Sequence, residues 1–278
     1  MSNTYILIDG SYYVFYRYFA LINWWKLSHK DEPFENIEEN EEFIEKFKDV
    51  FSRKILEIPK KIGIDKKDIE NVKFIVGLDC KRENIWRNNL YSKYKGTRDN
   101  NNNGNNPGKI FKIVYNEKLF ENITGINIKT IKHGRLEADD CIAILTKKIV
   151  ETQPDSKIII ITSDTDYLQI LQENVTLLNL KFKPVNTPKN SFDCSKKNLL
   201  YKIIIGDKSD NIPSVFKKCG PKKTLNYIND IELFEKHLYS IEGAFEQYKL
   251  NRRLIDFNMI PEMLQNELHT IMTIRKIL

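Results

Sequence analysis

The sequence predicts an α/β protein built on a central, mostly parallel sheet with helices on its faces. Three observations carry that prediction. Short apolar runs alternate with longer amphipathic segments, one run (residues 157–161) is apolar almost throughout, and three of the runs lead into an aspartate. Strands buried on both faces read as continuous apolar runs, and strands alternating with helices imply crossover connections. A chain of 278 residues has room for one large domain with an appendage.

Taken in order, residues 5–8 form a first strand that ends at Asp9-Gly10. An aromatic-rich stretch, 12–21, reads as a buried helix, and 38–58 shows helical spacing through Phe43, Phe47, Val50, Phe51 and Ile55. Residues 73–78 give a second strand closing on Asp79, and 126–131 alternate as a half-buried third strand. An amphipathic helix follows over 136–150, with Ala138, Cys141, Ile142, Leu145 and Ile149 on one side. Residues 157–161 make a central strand ending at Thr162-Ser163-Asp164, and 175–180 another; beyond about 193 the pattern is helical. We expect two regions: an α/β unit over 1–195, including a basic segment at about 81–118, and a helical unit over 196–278. Asn-rich residues 100–106 read as a loop.

Composition narrows the class. No apolar run reaches the roughly 18 residues of a membrane span. Cys80, Cys141, Cys194 and Cys219 are widely spaced and form no CxxC pair, so they read as reduced thiols of a soluble, intracellular protein. Net charge is +6 but uneven. Residues 81–118 carry nine Lys/Arg against three acids, and 196–223 carry eight Lys against two acids, whereas 31–45 are acidic. Two basic zones around acids fit a bound polyanion.

The acids are Asp9, Asp79, Glu137, Asp139, Asp140, Asp164, Asp166, Asp207 and Asp210. Carboxylates gathered at strand ends repel each other and are costly to desolvate. Helix capping explains any one of these motifs alone. Four motifs on separate segments point instead to hard divalent cations, and two Mg²⁺ about 4 Å apart suit phosphodiester hydrolysis. No histidine falls in an acidic motif; His133, the nearest, reads as structural.

These motifs resemble, in order from about residue 4 to 230, those of the 5′ nucleases: flap endonucleases, the 5′-nuclease domain of bacterial DNA polymerase I, and phage 5′→3′ exonucleases. The segments that carry the resemblance are LIDGSYYVFYRYFAL (7–21), Asp79 with Trp86-Arg87, YSKYKGTR (91–98), EADD (137–140), TSDTD (162–166) and GDKSDNIP (206–213). The spacing from Asp79 to Trp86-Arg87 is closest to the T-even bacteriophage ribonuclease H members. The resemblance implies a PIN-like fold with a helical arch and a helix–three-turn–helix. It implies that the nine acids hold two Mg²⁺, with Mn²⁺ as substitute, directly or through water. It assigns Lys95 and Arg98 to the scissile phosphate, and Arg17, Arg87, Lys93, Lys217, Lys218, Gly220, Lys222 and Lys223 to DNA binding. The implied partner is branched or nicked duplex DNA with a 5′ flap, or an RNA–DNA hybrid, in replication or repair.

One departure from the family stands out. Lys218 occupies the place of the first hairpin glycine, which argues against the K⁺ site that the resemblance implies there. No sliding-clamp peptide is evident. Two other readings remain open: a PIN-like ribonuclease, and a non-catalytic DNA-binding protein on the same fold.

Overall fold

The computed structural model describes residues 3–30, 36–97, 107–189 and 191–278. Its centre is a five-stranded, all-parallel sheet: β1 (Thr4–Asp9), β2 (Val72–Leu78), β3 (Asn127–Lys132), β4 (Lys157–Ile161) and β5 (Val175–Leu178), in the order β3-β2-β1-β4-β5. Successive residues of each strand enter opposite cores. Ile6, Ile8, Phe74, Val76, Ile159 and Ile161 enter one, and Tyr5, Leu7, Ile75, Ile158 and Ile160 the other. Two buried faces require apolar residues at both parities, which explains the unbroken run of β4.

The first core is closed by α1 (Gly10–Ser28), α2 (Glu41–Leu56), the single turn α3 (Ile58–Lys61) and α4 (Pro107–Asn116). The stripe Phe43, Phe47, Phe51 and Ile55 of α2 is buried there, at the spacing read from the sequence. The second core is closed by α5 (Ala138–Thr152). Gly77 is why α5 can lie so close to β2. A Cβ at that position would stand 2.8 Å from both the Ala138 carbonyl oxygen and Ile142 Cγ1.

The remaining helices are α6 (Ser195–Ile205), α7 (Pro221–Asn229), α8 (Ile231–Ser240), α9 (Ala244–Ile255) and α10 (Glu262–Ile274). Helices α6 to α9 form their own small core around Phe216, Tyr227 and Phe234. Helix α10 does not join it. Leu264, Leu268 and Met272 pack instead into the sheet's second core, and His133 at the end of β3 bonds Glu267 at 2.8 Å. The expected division at 195/196 therefore is not clean, because the last helix closes the α/β unit. Among the described residues, no helix is long and apolar enough to cross a membrane.

Candidate metal centre

The carboxyl ends of β1, β2 and β4 lie side by side where the strand order reverses, the usual place for a site in an open α/β sheet. Each end supplies an acid. Asp9 closes β1 and caps α1, its Oδ1 accepting the Tyr12 N–H at 3.0 Å. Asp79 follows β2; its Oδ1 accepts from Ala138 N–H at 2.8 Å and its Oδ2 from the Ser11 hydroxyl. Asp164 follows β4 and caps a 3₁₀ turn through the Asp166 N–H at 2.9 Å. The first turn of α5 adds Glu137 and Asp139. These five acids line a cavity of about 260 Å³ together with Lys95, Tyr12, Phe15 and Ser163.

The gathering is electrostatically costly. Burial, then the charge of Asp79, pushes the Asp9 carboxyl up to about 7. Burial, then Asp140 and Glu137, holds Asp139 well above the carboxylate range. Glu137 goes the other way. Burial opposes its charge, but Lys95 and Arg87 together keep it below the usual value. The Lys95 ammonium bonds Glu137 and lies 3.7 Å from Asp210 Oδ2, while the Tyr94 hydroxyl donates to Glu137 Oε2 at 2.9 Å. Lys95 sits in the left-handed region (φ 54°), and its N–H donates to the Asp210 carbonyl at 3.0 Å.

A second acidic group adjoins the first. Gly206 turns the chain after α6 with φ 75°, where a Cβ would meet the Ile212 carbonyl oxygen at 2.4 Å. That turn presents Asp207, whose Oδ1 accepts from the Ser209 N–H and hydroxyl, each at 2.7 Å. Lys202 Nζ stands 2.7 Å from Asp207 Oδ2 and 2.7 Å from Asp166 Oδ1. Burial, then Asp164, raises Asp166 to about 7 even with Lys202 beside it. Burial opposes the Asp207 charge, but Lys202 holds that carboxyl below its ordinary value.

Three expectations need correction. Asp140 comes within 4.8 Å of Glu137 and Asp139, yet it is fully buried and its oxygens are engaged. Oδ2 accepts from Trp86 Nε1, Arg87 Nη1 and the Glu137 N–H, and Oδ1 from Arg87 Nη2. It completes a capping box and does not line the cavity. Arg87, expected on DNA, is 2% exposed and also bonds Glu137 and the Leu254 carbonyl. Arg17 is buried too, its guanidinium over the rings of Tyr13 (5.3 Å) and Tyr16 (4.9 Å). Neither arginine is displayed to a polyanion. Arg98 and residues 99–106 lie outside the described residues.

The remaining basic positions are displayed. Lys93, Lys217, Lys218, Gly220, Lys222 and Lys223 are exposed. The Lys93 carbonyl accepts from Asn211 Nδ2 at 2.9 Å, which ties the 91–97 segment to the Asp207–Asp210 loop. Sequence reasoning missed Tyr94 and Lys202. The signal for Lys202 was a lysine opening the apolar run 202–205, five residues before Asp207.

The model of the 5′-3′ exonuclease, N-terminal resolvase-like domain matches residues 4–199. The chain belongs to this 5′-3′ exonuclease family. As a member it is a 5′ nuclease, a hydrolase of nucleic-acid phosphodiesters. The 5′-3′ exonuclease of Buchnera aphidicola subsp. Schizaphis graminum (strain Sg) is 29% identical over 225 residues, covering 79% of this chain and 68% of that protein. The ribonuclease H of Enterobacteria phage T4 is 31% identical over 147 residues, covering 46% and 45%. Among solved structures, a bacteriophage T5 flap endonuclease in a pseudo-enzyme-product complex with DNA and metal ions superposes with TM-score 0.66, at 17% identity and 99% coverage of both chains. A T5 5′-exonuclease with bound divalent zinc gives 0.65, at 18% identity and 98% coverage of both. The 5′-nuclease fold is thus shared along the whole chain.

Proposed function

We propose that this 5′ nuclease cleaves 5′ flaps and nicked or RNA-primed duplex ends of DNA, using Mg²⁺ with Mn²⁺ as substitute. The observation that carries the reading is the cavity at the strand ends, lined by Asp9, Asp79, Glu137, Asp139 and Asp164 together with Lys95, whose ammonium bonds Glu137. The donor set fits. All of it is hard carboxylate oxygen, which Mg²⁺ prefers, and the raised pKa values of Asp9 and Asp139 mark negative charge in need of a cation. Asp166, Asp207 and Asp210 extend the set towards a second ion. Divalent cations held here supply Lewis acidity, acidifying water and neutralising charge on the phosphate.

The protein's own groups do the positioning. Lys95 reaches the cavity from the basic 91–97 segment, close enough for its ammonium to exchange a carboxylate for a substrate phosphate. Arg98, three residues on, is proposed as its partner. Duplex DNA is held at the hairpin leading into α7. There Lys217, Lys218, Lys222 and Lys223 point to solvent, and a Cβ at Gly220 would meet no heavy atom within 4 Å. Open backbone at a helix start, flanked by lysines, suits phosphate contact without base reading. Lys218 adopts φ 54°, so it supplies the left-handed turn usual for glycine while adding a charge. That side chain disfavours a K⁺ site at this hairpin.

The test is cleavage of a labelled 5′-flap duplex, with the 5′ end free or blocked, in Mg²⁺ and in chelator. Metal-dependent release of short products from the flap junction is expected. Cleavage in chelator, or of single-stranded RNA only, would overturn the reading.

A further inference from the structure

Lys202 occupies the acidic group next to the cavity as an ion would. Its ammonium sits 2.7 Å from one oxygen of Asp166 and 2.7 Å from one oxygen of Asp207, carboxylates carried by separate elements. Asp207 cannot turn away, because Ser209 holds its other oxygen through two bonds. The lysine stem rises from α6 beside the buried Ile203 and Ile204, with its side chain 22% exposed. Two carboxylates converging in a partly dry site require a cation between them. Here the chain provides its own, and one ammonium against two carboxylates leaves the group one charge short of neutrality. A divalent ion would close that deficit with shorter contacts, since Mg²⁺ binds carboxylate oxygens at about 2.0–2.1 Å. It cannot do so while the ammonium bridges the same oxygens.

We propose that Lys202 is an exchangeable counter-ion. It holds Asp166 and Asp207 in register for the second divalent ion and must swing out, still protonated, for that ion to enter. This rests on the metal-dependent reading above. The first cavity needs no such exchange at Lys202, because Asp9, Asp79 and Asp139 are not tied to it. Second-ion binding is thereby weakened by a built-in competitor. A nucleic-acid phosphate beside the site offers the displaced ammonium a new partner, so substrate and second ion favour one another.

The experiment is calorimetric titration of Mn²⁺ into the metal-stripped full chain without nucleic acid, comparing wild type, Lys202→Met and Lys202→Arg. The wild type is expected to take one tighter and one weaker ion. Lys202→Met should tighten the weaker ion about tenfold and leave the tighter one within about twofold. Lys202→Arg, which keeps the competing charge, should behave as wild type. An unchanged or weakened second ion in Lys202→Met, with the first intact, would overturn the proposal. Absence of any ion binding to the wild type would instead overturn the metal reading on which it rests. Wild-type protein with ¹³Cε-labelled lysine gives an independent readout that needs no variant. The Lys202 resonance should move only in the second phase of a Mg²⁺ titration, and a resonance fixed throughout counts against the exchange.

Discussion

Arg87 grips Asp140 at two points, Nη1 to Oδ2 at 2.8 Å and Nη2 to Oδ1 at 2.7 Å, and both side chains are shut off from solvent. The same guanidinium reaches Glu137 and the Leu254 carbonyl, so one buried cation joins the basic segment, the start of α5 and the end of α9. Removing one partner of such a pair strands the other charge. Asp140→Asn should therefore cost about 3–5 kcal/mol of stability, read by chemical denaturation, while divalent-ion affinity of the remaining folded protein changes little. Arg87→Lys should fail to rescue Arg87→Ala, because an ammonium cannot reproduce the fork. A stable Asp140→Asn protein lacking ion affinity would restore Asp140 as a ligand.

Asp139→Asn should show the opposite pattern. Its carboxyl is held high by burial and by Asp140 and Glu137, so neutralising it relieves repulsion in the metal-free protein. Thermal stability in chelator is expected to rise slightly. Cleavage of a flap substrate should fall by about 10³-fold, with duplex binding retained in a gel-shift assay.

The metal-free protein should lose stability as pH rises from about 4 to 7. Asp9 and Asp166 both have folded-state values near 7, raised from an ordinary 3.8. Between those values the folded state keeps protons that the unfolded chain has released, so unfolding becomes easier with rising pH and levels off above 7. The loss is on the order of a few kcal/mol in all. Denaturant midpoints at pH 4.5, 6 and 7.5 measure it. Saturating Mg²⁺ should flatten or reverse the trend.

Lys218 makes a separable prediction about charge and backbone. At φ 54° a non-glycine residue carries about 1 kcal/mol of strain. Lys218→Gly should relieve most of it and Lys218→Ala should not. Both remove one exposed charge. If Lys218 touches a phosphate, both variants should reduce the slope of log affinity against log salt by about one. An unchanged slope would remove this residue from the DNA track.

The sheet was legible because doubly buried strands leave apolar runs that need no partner to be read. Asp9, Asp79 and Asp164 were legible for the same reason, standing where those runs stop. Arg87 and Asp140 were not, because a pair 53 residues apart leaves no local pattern. An arginine in a basic segment reads as surface whether it faces solvent or the core. Beyond about residue 193 the pattern reads only as helical, and periodicity cannot say that α10 packs on the sheet rather than on α6 to α9. Lys202 was hidden by its neighbours, since one cation in an apolar run looks like a helix end.

Gly77 carries no chemistry, yet it gauges the distance between the β2 end and the α5 start, where Asp79, Glu137 and Asp139 must meet. A single methyl group there would wedge the helix outward, and a displacement of about 1 Å at reacting groups costs roughly 10²-fold in rate. Every acid and every lysine would still be present. An inventory of reactive side chains would pass such a protein as intact, because what fails is the clearance left by an atom the chain omits.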